Sequence, residues 1–176
     1  MSDQQVALRI ASVDDRPTVG NLLQLYLHDM SDFVSTSISP EGRFAYPYLD
    51  RYWSEEGEAE GRVPFIFTVN GELAGFALKN SHSRLGQPPP TSSIAEFFVL
   101  RPWRGQGVGR AAAFALFGHF AGRWEVAQLR TNEPAHRFWR RVIDSYTTSR
   151  FLEEDIDTER WNGFVQAFDT PAGKHL

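Results

Sequence analysis

A glycine- and arginine-rich bridge, "RGQGVGR" at residues 104–110, constrains this chain more than any other segment. It follows an apolar run typical of a strand and precedes an alanine-rich run typical of a helix. A helix N-terminus exposes unpaired N–H groups at the positive end of its dipole, and glycines without a Cβ let the backbone close around an anion. The bridge therefore predicts an anion site at a strand-to-helix junction, where Arg104 and Arg110 add charge-assisted hydrogen bonds.

The remaining patterns predict strands and helices in an order that mixes two arrangements. The clearest is a β-hairpin over 63–79, because Asn70 and Gly71 suit a type I′ turn. Around it we predict a strand at 6–12, helices at 14–30 and 46–53, a proline-rich loop at 80–93, a strand at 93–100, a helix to about 121, a strand at 125–130, a helix at 133–146, and strands within 149–156 and 161–169. The first part of the chain contains an antiparallel hairpin, and the second part contains a βαβ unit. Together they indicate an α+β fold with a mixed sheet.

Length and composition indicate one folded domain spanning residues 1–176. The hydrophobic share is 41% and the aromatic share 14%, which excludes a disordered chain. No run approaches the roughly 18 apolar residues that span a bilayer, and the chain has no cysteine and no apolar leader. We therefore expect a cytoplasmic protein without a membrane partner, and a catalytic cysteine is excluded.

The charges are distributed unevenly along the chain. Residues 1–60 carry eleven acids and four bases, whereas residues 101–141 carry eight arginines and two acids. The second segment favours anions and the first favours cations. Nucleic-acid-binding proteins usually combine an overall basic balance with interleaved aromatics, so we expect no nucleic-acid partner. The histidines lack metal-ligand spacing, and no metal is expected.

Two general phosphate motifs compete for the glycine bridge. A P-loop does not fit, because no Gly-Lys-Ser/Thr follows. The dinucleotide fingerprint is formally satisfied by Gly107, Gly109 and Ala112, but here the glycines follow a hairpin rather than a first strand, and the next strand closes on Arg130 instead of an acid. A dinucleotide-binding oxidoreductase remains the weaker alternative.

Two motifs resemble those of the GNAT superfamily, the acetyl-CoA-dependent N-acetyltransferases. "RGQGVG" resembles the family's Q/R-x-x-G-x-G/A motif, and "NEPAHRFW" resembles its later N-x-x-A-x-x-hydrophobic-Tyr segment through Asn132, Ala135 and Phe138. The predicted element order matches the family from residue 6 to about 169. The resemblance implies a mixed, mostly antiparallel central sheet flanked by helices, with a splayed strand pair that holds acyl-CoA.

The resemblance also implies which residues contact the cosubstrate acetyl-CoA. The backbone of Phe98 and Val99 receives the pantetheine arm, an amide there can polarise the thioester carbonyl, and Asn132 either contacts the arm or only caps the next helix. The pyrophosphate is assigned to Arg104, Gly105, Gln106, Gly107, Val108, Gly109 and Arg110.

One position departs from the family pattern. Trp139 stands where the family usually has a tyrosine that protonates the leaving thiolate, and an indole has no proton to give at neutral pH. A thiol can still leave as the thiolate. Trp139 is then expected to pack against the pantetheine arm, and Tyr146 is either a replacement acid or a core residue.

The predicted chemistry is transfer of an acetyl group to a primary amine by direct attack in a ternary complex. Glu96, flanked by apolar residues where the family often has a glutamate, is the candidate general base; the alternative is a solvent-facing strand residue. The small-molecule or peptide amine is assigned to four residues of the first two helices, which are otherwise solvated acids and core aromatics: Asp29, Asp32, Tyr46 and Tyr48. A homodimer is compatible with this prediction, and a non-catalytic acyl-CoA sensor on the same fold is the main alternative.

Overall fold

The computed structural model describes residues 5–89 and 91–171. Its helices and strands, in chain order, are β1 (Val6–Ile10), α1 (Arg16–Met30), α2 (Glu55–Ala59), β2 (Val63–Val69), β3 (Glu72–Asn80), β4 (Thr91–Val99), α3 (Val108–His119), β5 (Gly122–Leu129), α4 (Glu133–Thr147), β6 (Leu152–Asp157) and β7 (Asn162–Thr170). The strands form one seven-stranded sheet in the order β1-β2-β3-β4-β5-β7-β6. Only β4 and β5 pair in parallel, and every other neighbouring pair is antiparallel. The predicted mixed, mostly antiparallel sheet is confirmed.

Local sequence accounts for the ends of several elements. Asn70 and Gly71 both have positive φ, 51° and 85°, as a type I′ hairpin requires. The Asn132 side chain accepts a hydrogen bond from the Ala135 N–H at 3.1 Å, so it caps α4, with a proline in the first turn. These short-range features hold the junction between β5 and α4 and the β2–β3 hairpin at defined positions.

Hydrophobic side chains fill both faces of the sheet. Helices α3 and α4 cover one face, where Phe117, Trp124 and Ile143 are fully buried. Helix α1 covers the other face against Phe76 and Leu78, which are also inaccessible to solvent. Burial of apolar area on both sides makes the sheet the rigid middle layer of the molecule.

The sheet opens between its two parallel strands. β4 pairs with β5 only from Thr91, opposite Arg123, to Ile94, opposite Val126. Beyond that point β4 continues along β3, while β5 continues along β7 as far as Leu129. The second half of β4 therefore has no strand on one side, and a gap separates the strands as predicted.

The structure corrects the predicted helix at 46–53. A 3-10 turn occupies Leu49–Trp53, and α2 follows over Glu55–Ala59. Ser54 separates them because its side chain accepts a hydrogen bond from the Gly57 N–H at 3.1 Å, and acidic residues fill the first turn of α2. Other boundaries move by up to three residues; β1, for example, ends at Ile10 because Ser12 and Asp15 form a capping box. No helix in the described ranges combines the length and apolar character needed to cross a membrane.

Candidate active site

The glycine bridge begins α3 and faces open space. Gly105 and Gly107 have φ of 75° and 82°, in the left-handed region that favours glycine, and no atom lies within 4 Å of a Cβ built on either. Val108 is buried and anchors the first turn, whereas Gln106 and Arg110 are exposed. The loop therefore presents its backbone to solvent at a helix N-terminus, which is the geometry of an anion site.

A cavity of about 460 Å³, the loop cavity, lies between the glycine bridge and the gap in the sheet. Its lining includes several residues predicted to contact the cofactor, namely Phe98, Val99, Arg104, Gly105, Gly109, Asn132 and Trp139. Two further cavities adjoin β4. The gap cavity, about 250 Å³, is lined by Glu96, Gln128 and Trp139 among others. The outer cavity, about 700 Å³, is lined by Tyr46, Tyr48, Arg84 and Glu96 among others.

Asp29 and Asp32 lie at the loop cavity, away from Tyr46 and Tyr48, so the four residues predicted to hold the acceptor are not brought together. Asp29 accepts hydrogen bonds from Arg101 at 2.8 Å and from Arg104 at 2.7 Å. Burial alone would raise the pKa of Asp29, but these hydrogen bonds lower it below its usual value. Asp29 is thus an ionised partner of two arginines beside the glycine loop.

The Arg104 guanidinium is engaged in the described structure. Its Nε also donates to the Val99 carbonyl at 2.7 Å, which ties the loop to the end of β4. An anion at the loop must therefore compete with Asp29 for this side chain. Arg110 points away from Asp29, with its guanidinium 5.7 Å from the Phe114 ring centroid.

Glu96 lies where the gap cavity and the outer cavity meet, since it lines both. The Tyr46 hydroxyl donates to its Oε1 at 3.0 Å. Burial raises the pKa of Glu96, and this effect exceeds the opposing hydrogen bonds from Tyr26 and Tyr46. A carboxyl group with a raised pKa, reachable from two cavities, is a suitable proton acceptor.

Tyr26 is a site residue that sequence analysis missed, because its spacing with Leu22 and Leu23 is that of a core stripe. It lines both the loop cavity and the gap cavity. Burial, followed by the charge of Glu96, raises the pKa of Tyr26 well above its ordinary value, so the phenol keeps its proton. The one signal in the sequence is that a tyrosine stands among leucines in this helix.

Trp139 and Tyr146 occupy different surroundings. Trp139 is 6% exposed, packs edge-on against Phe97 at 4.9 Å between ring centroids, and lines the loop and gap cavities. Tyr146 packs against Phe114 and Phe117 and lines neither cavity. These contacts favour the packing role of Tyr146 over that of a replacement acid.

Asn132 combines two roles that the sequence left open. Besides capping α4, it lines both the loop and the gap cavity, and its Nδ2 approaches the Met30 sulfur at 3.6 Å. Over residues 5–89 and 91–171, no three histidine, aspartate or glutamate side chains are grouped so that they could hold a metal ion.

A sheet that opens beside a glycine-lined helix N-terminus, with a carboxyl group in the opening, defines an acyl-CoA-dependent transferase. Comparison with family models agrees: the model of the acetyltransferase (GNAT) family matches residues 22–143. The chain belongs to the acetyltransferase (GNAT) family. It is accordingly an acyltransferase whose cosubstrate is acetyl-CoA.

Solved structures share the fold. Aminoglycoside acetyltransferase AAC(6')-Ib in complex with coenzyme A is 15% identical, with a TM-score of 0.67 over 94% of this chain and 95% of that one. The ribosomal-protein-S18-alanine N-acetyltransferase from Escherichia coli is 17% identical, with a TM-score of 0.53 over 98% and 99% of the two chains. A search of curated proteins found no match. At such identities the likeness concerns the fold and leaves the acceptor open.

We predict that Gly107→Ala weakens acetyl-CoA binding. A Cβ on a residue in the left-handed region costs about 1–2 kcal/mol of conformational free energy. The loop can relieve this strain by changing its backbone angles, but its amides then turn away from the bound anion. We expect the KM for acetyl-CoA to rise about 10-fold, measured by initial rates at varied acetyl-CoA.

Gly42→Ala is the matched control, because Gly42 has a similar φ of 74° with open space around it but lies outside the loop cavity. It should lose similar stability and keep its KM. Equal KM values for the two variants would contradict the role of the loop.

Proposed function

We propose that this protein transfers the acetyl group of acetyl-CoA to a primary amine by direct attack in a ternary complex. The observation that carries the proposal is the position of Glu96 where the gap cavity and the outer cavity meet. The thioester reaches this junction from the gap side, and the amine reaches it from the outer side.

In this proposal, backbone groups bind acetyl-CoA. The amides of Gly105 to Arg110 hold the pyrophosphate at the N-terminus of α3. The second half of β4 pairs with β3 on one side only, so backbone groups of its other edge at Phe98 and Val99 face the pantetheine arm and the carbonyl oxygen of the thioester, although the Val99 carbonyl oxygen already accepts from Arg104 Nε at 2.7 Å.

Glu96 acts as the general base. A primary amine is mostly an ammonium ion at neutral pH, and it becomes a nucleophile when the carboxylate takes one proton, directly or through water. The nitrogen lone pair then forms the C–N bond, the C–S bond breaks with its electron pair leaving on sulfur as CoA thiolate, and the nitrogen gives its surplus second proton to that thiolate or to water, which leaves a neutral amide. The raised pKa of Glu96 makes it a better proton acceptor than an exposed glutamate.

Tyr26 supports the departure of the thiolate. Trp139 has no acidic proton, but the Tyr26 phenol lines the same gap cavity and stays protonated. Its single O–H donates to Glu96 before the reaction, and it can turn to the leaving sulfur once Glu96 has taken the proton of the amine. A thiol of pKa about 8.5 needs no full proton transfer to depart.

The test is thiol release from acetyl-CoA with a thiol reagent, across amino acids, peptides, polyamines and aminoglycosides. Amine-dependent release supports the proposal. Thermal stabilisation by CoA without release for any amine would instead favour the non-catalytic sensor that Trp139 suggests, and stabilisation by NADP but not CoA would favour the dinucleotide alternative.

We predict that Tyr46→Phe shifts the acidic limb of the pH–rate profile upwards. The Tyr46 hydrogen bond stabilises the ionised form of Glu96, so its removal raises the pKa of that carboxyl further, and a higher pH is needed to form the base. The measurement is kcat/KM between about pH 5 and 9, where Tyr48→Phe is the control because Tyr48 makes no hydrogen bond to Glu96 in the described structure. A shift towards lower pH, or the same shift in both variants, would contradict this assignment.

A further inference from the structure

The charges that line the outer cavity differ from those expected for a site that binds a polycation. Its carboxylates are Glu60 and Glu96. Glu60 is already paired with two guanidinium groups, at 2.5 Å from Arg62 and 3.0 Å from Arg51. Glu96 is the group assigned as the base. No carboxylate of the described lining is therefore left to hold a second ammonium group.

The outer cavity also contains a guanidinium that is not held in a direct ion pair within the described residues, although the charges of Glu96 and Glu125 act on it. Arg84 lines both the outer cavity and the gap cavity, as Glu96 does. It forms no ion pair with any carboxylate in residues 5–89 and 91–171. Its guanidinium carbon lies 3.7 Å from the centroid of the Trp161 ring, so the planar group is stacked and oriented.

The backbone at Arg84 is held in place by hydrogen bonds to a buried carboxylate of β5. Glu125 on β5 is 1% exposed, and its carboxylate accepts hydrogen bonds from the Ser83 hydroxyl at 2.7 Å and the Arg84 N–H at 2.8 Å. The Ser83 hydroxyl in turn accepts from the Gln87 N–H at 2.9 Å. A buried ionic anchor of this kind costs desolvation, and here it fixes the loop that presents the Arg84 guanidinium to the cavity.

We propose that the acceptor is a primary amine that also carries a carboxylate, which pairs with Arg84 while the amine faces Glu96. A guanidinium presents paired N–H donors that match the two oxygens of a carboxylate. Arg84 and Glu96 line the same two cavities, so one small molecule with an anionic end and an amine end can reach both. This inference rests on the proposed function and narrows its acceptor to amino-acid-like amines.

The inference separates this chain from a structural relative with the same fold. One AAC(6')-Ib structure holds coenzyme A and kanamycin, at 15% identity and a TM-score of 0.66. Kanamycin is a polycation, and with Glu60 paired to two arginines the described lining of the outer cavity offers no further carboxylate for its additional ammonium groups. Aminoglycosides are therefore expected to be poor acceptors here.

The experiment compares kcat/KM for thiol release between amines that differ only in the carboxylate. α-Amino acids and ω-amino acids are each compared with their carboxamides. Dipeptides test whether a carboxylate farther from the amine is still recognised. Spermidine and kanamycin are the polycationic acceptors. We expect the wild-type enzyme to favour a carboxylate over its carboxamide by about 10- to 100-fold, the range of a charged hydrogen-bonded pair.

Arg84→Gln should remove that preference by raising the KM of the carboxylate far more than that of the carboxamide, and Arg84→Lys should restore part of it; because the charge of Arg84 also lowers the pKa of Glu96, both acceptors are compared within the same variant and at the same pH. Arg137→Gln is the control for loss of one positive charge, because Arg137 is exposed and lines no described cavity. Transfer to carboxamides and polyamines but not to carboxylates would overturn this inference and leave the proposed function standing. Absence of thiol release with every amine would overturn both.

Discussion

Glu96→Gln should lower kcat by at least about 100-fold, because general-base catalysis typically contributes 10²–10⁴-fold and the amide cannot accept the ammonium proton. The substitution preserves size and leaves the Tyr46 hydroxyl with an amide oxygen to bind. The acidic limb of the pH–rate profile should vanish as well. In the unmodified enzyme that limb lies above the usual glutamate range, because burial raises the pKa of Glu96 and the carboxylate forms only at higher pH.

The measurement is a pH series of initial rates at saturating acetyl-CoA, with thermal stabilisation by CoA as the check that the cofactor still binds. Glu72→Gln is the matched control, because Glu72 is exposed at the start of β3 and lines no described cavity. A loss in kcat of only a few fold with the acidic limb retained would remove Glu96 from the base role.

Gly75→Ala should produce the largest loss of stability that we predict. A Cβ at Gly75 would lie 2.0 Å from the Phe98 carbonyl oxygen and 2.4 Å from the Phe67 ring. Gly75 lies opposite Val99 in the sheet, so the clash falls on backbone that cannot swing aside. Overpacking of this kind typically costs 1–3 kcal/mol and occasionally more, and we expect about 3 kcal/mol of the free energy of unfolding. For a chain of this size that is a fall in Tm of roughly 6–12 °C.

Gly118→Ala is the control for Gly75→Ala. Gly118 lies exposed in α3 with nothing within 4 Å of a built Cβ, so alanine there should leave stability unchanged or raise it by up to about 1 kcal/mol. Denaturant or thermal unfolding measures both variants. Similar stabilities would mean that β3 and β4 approach each other less closely at Gly75 than the structure has them.

The parts of the fold and site that could be predicted depend on short-range patterns. The Asn70–Gly71 turn needs only two residues with positive φ, and the glycine bridge needs only a strand before it and a helix after it. Glu96 is predictable from its apolar neighbours in the chain together with the resemblance to the family, which often has a glutamate at this position. The role of Glu96 as base stays a prediction.

The remaining site features depend on contacts between distant segments. Asp29 and Arg104 are 75 residues apart in the chain. Asp29 is paired with Arg104, whereas sequence analysis assigned this acid to the acceptor. Tyr26 reads as a core residue because helical spacing describes its helix and not the cavity that its hydroxyl reaches. Arg84 lies in a proline-rich loop, and its orientation depends on a buried carboxylate 41 residues away. Side-chain partners of this kind are tertiary information, which propensity and periodicity do not contain.

The opening between β4 and β5 also bears on how the molecule unfolds. Within the part of the chain that the structure describes, four residue pairs, from Thr91 to Ile94 on β4, connect the β1–β4 half of the sheet to the β5–β7–β6 half. A pantetheine arm that hydrogen-bonds along the unpaired edge would complete the sheet much as an extra strand does. Without it the two halves are joined by these four pairs and by the shared core beneath α3 and α4; with it the free energy of unfolding should rise. Acetyl-CoA would then stabilise the folded enzyme as well as supply its acetyl group.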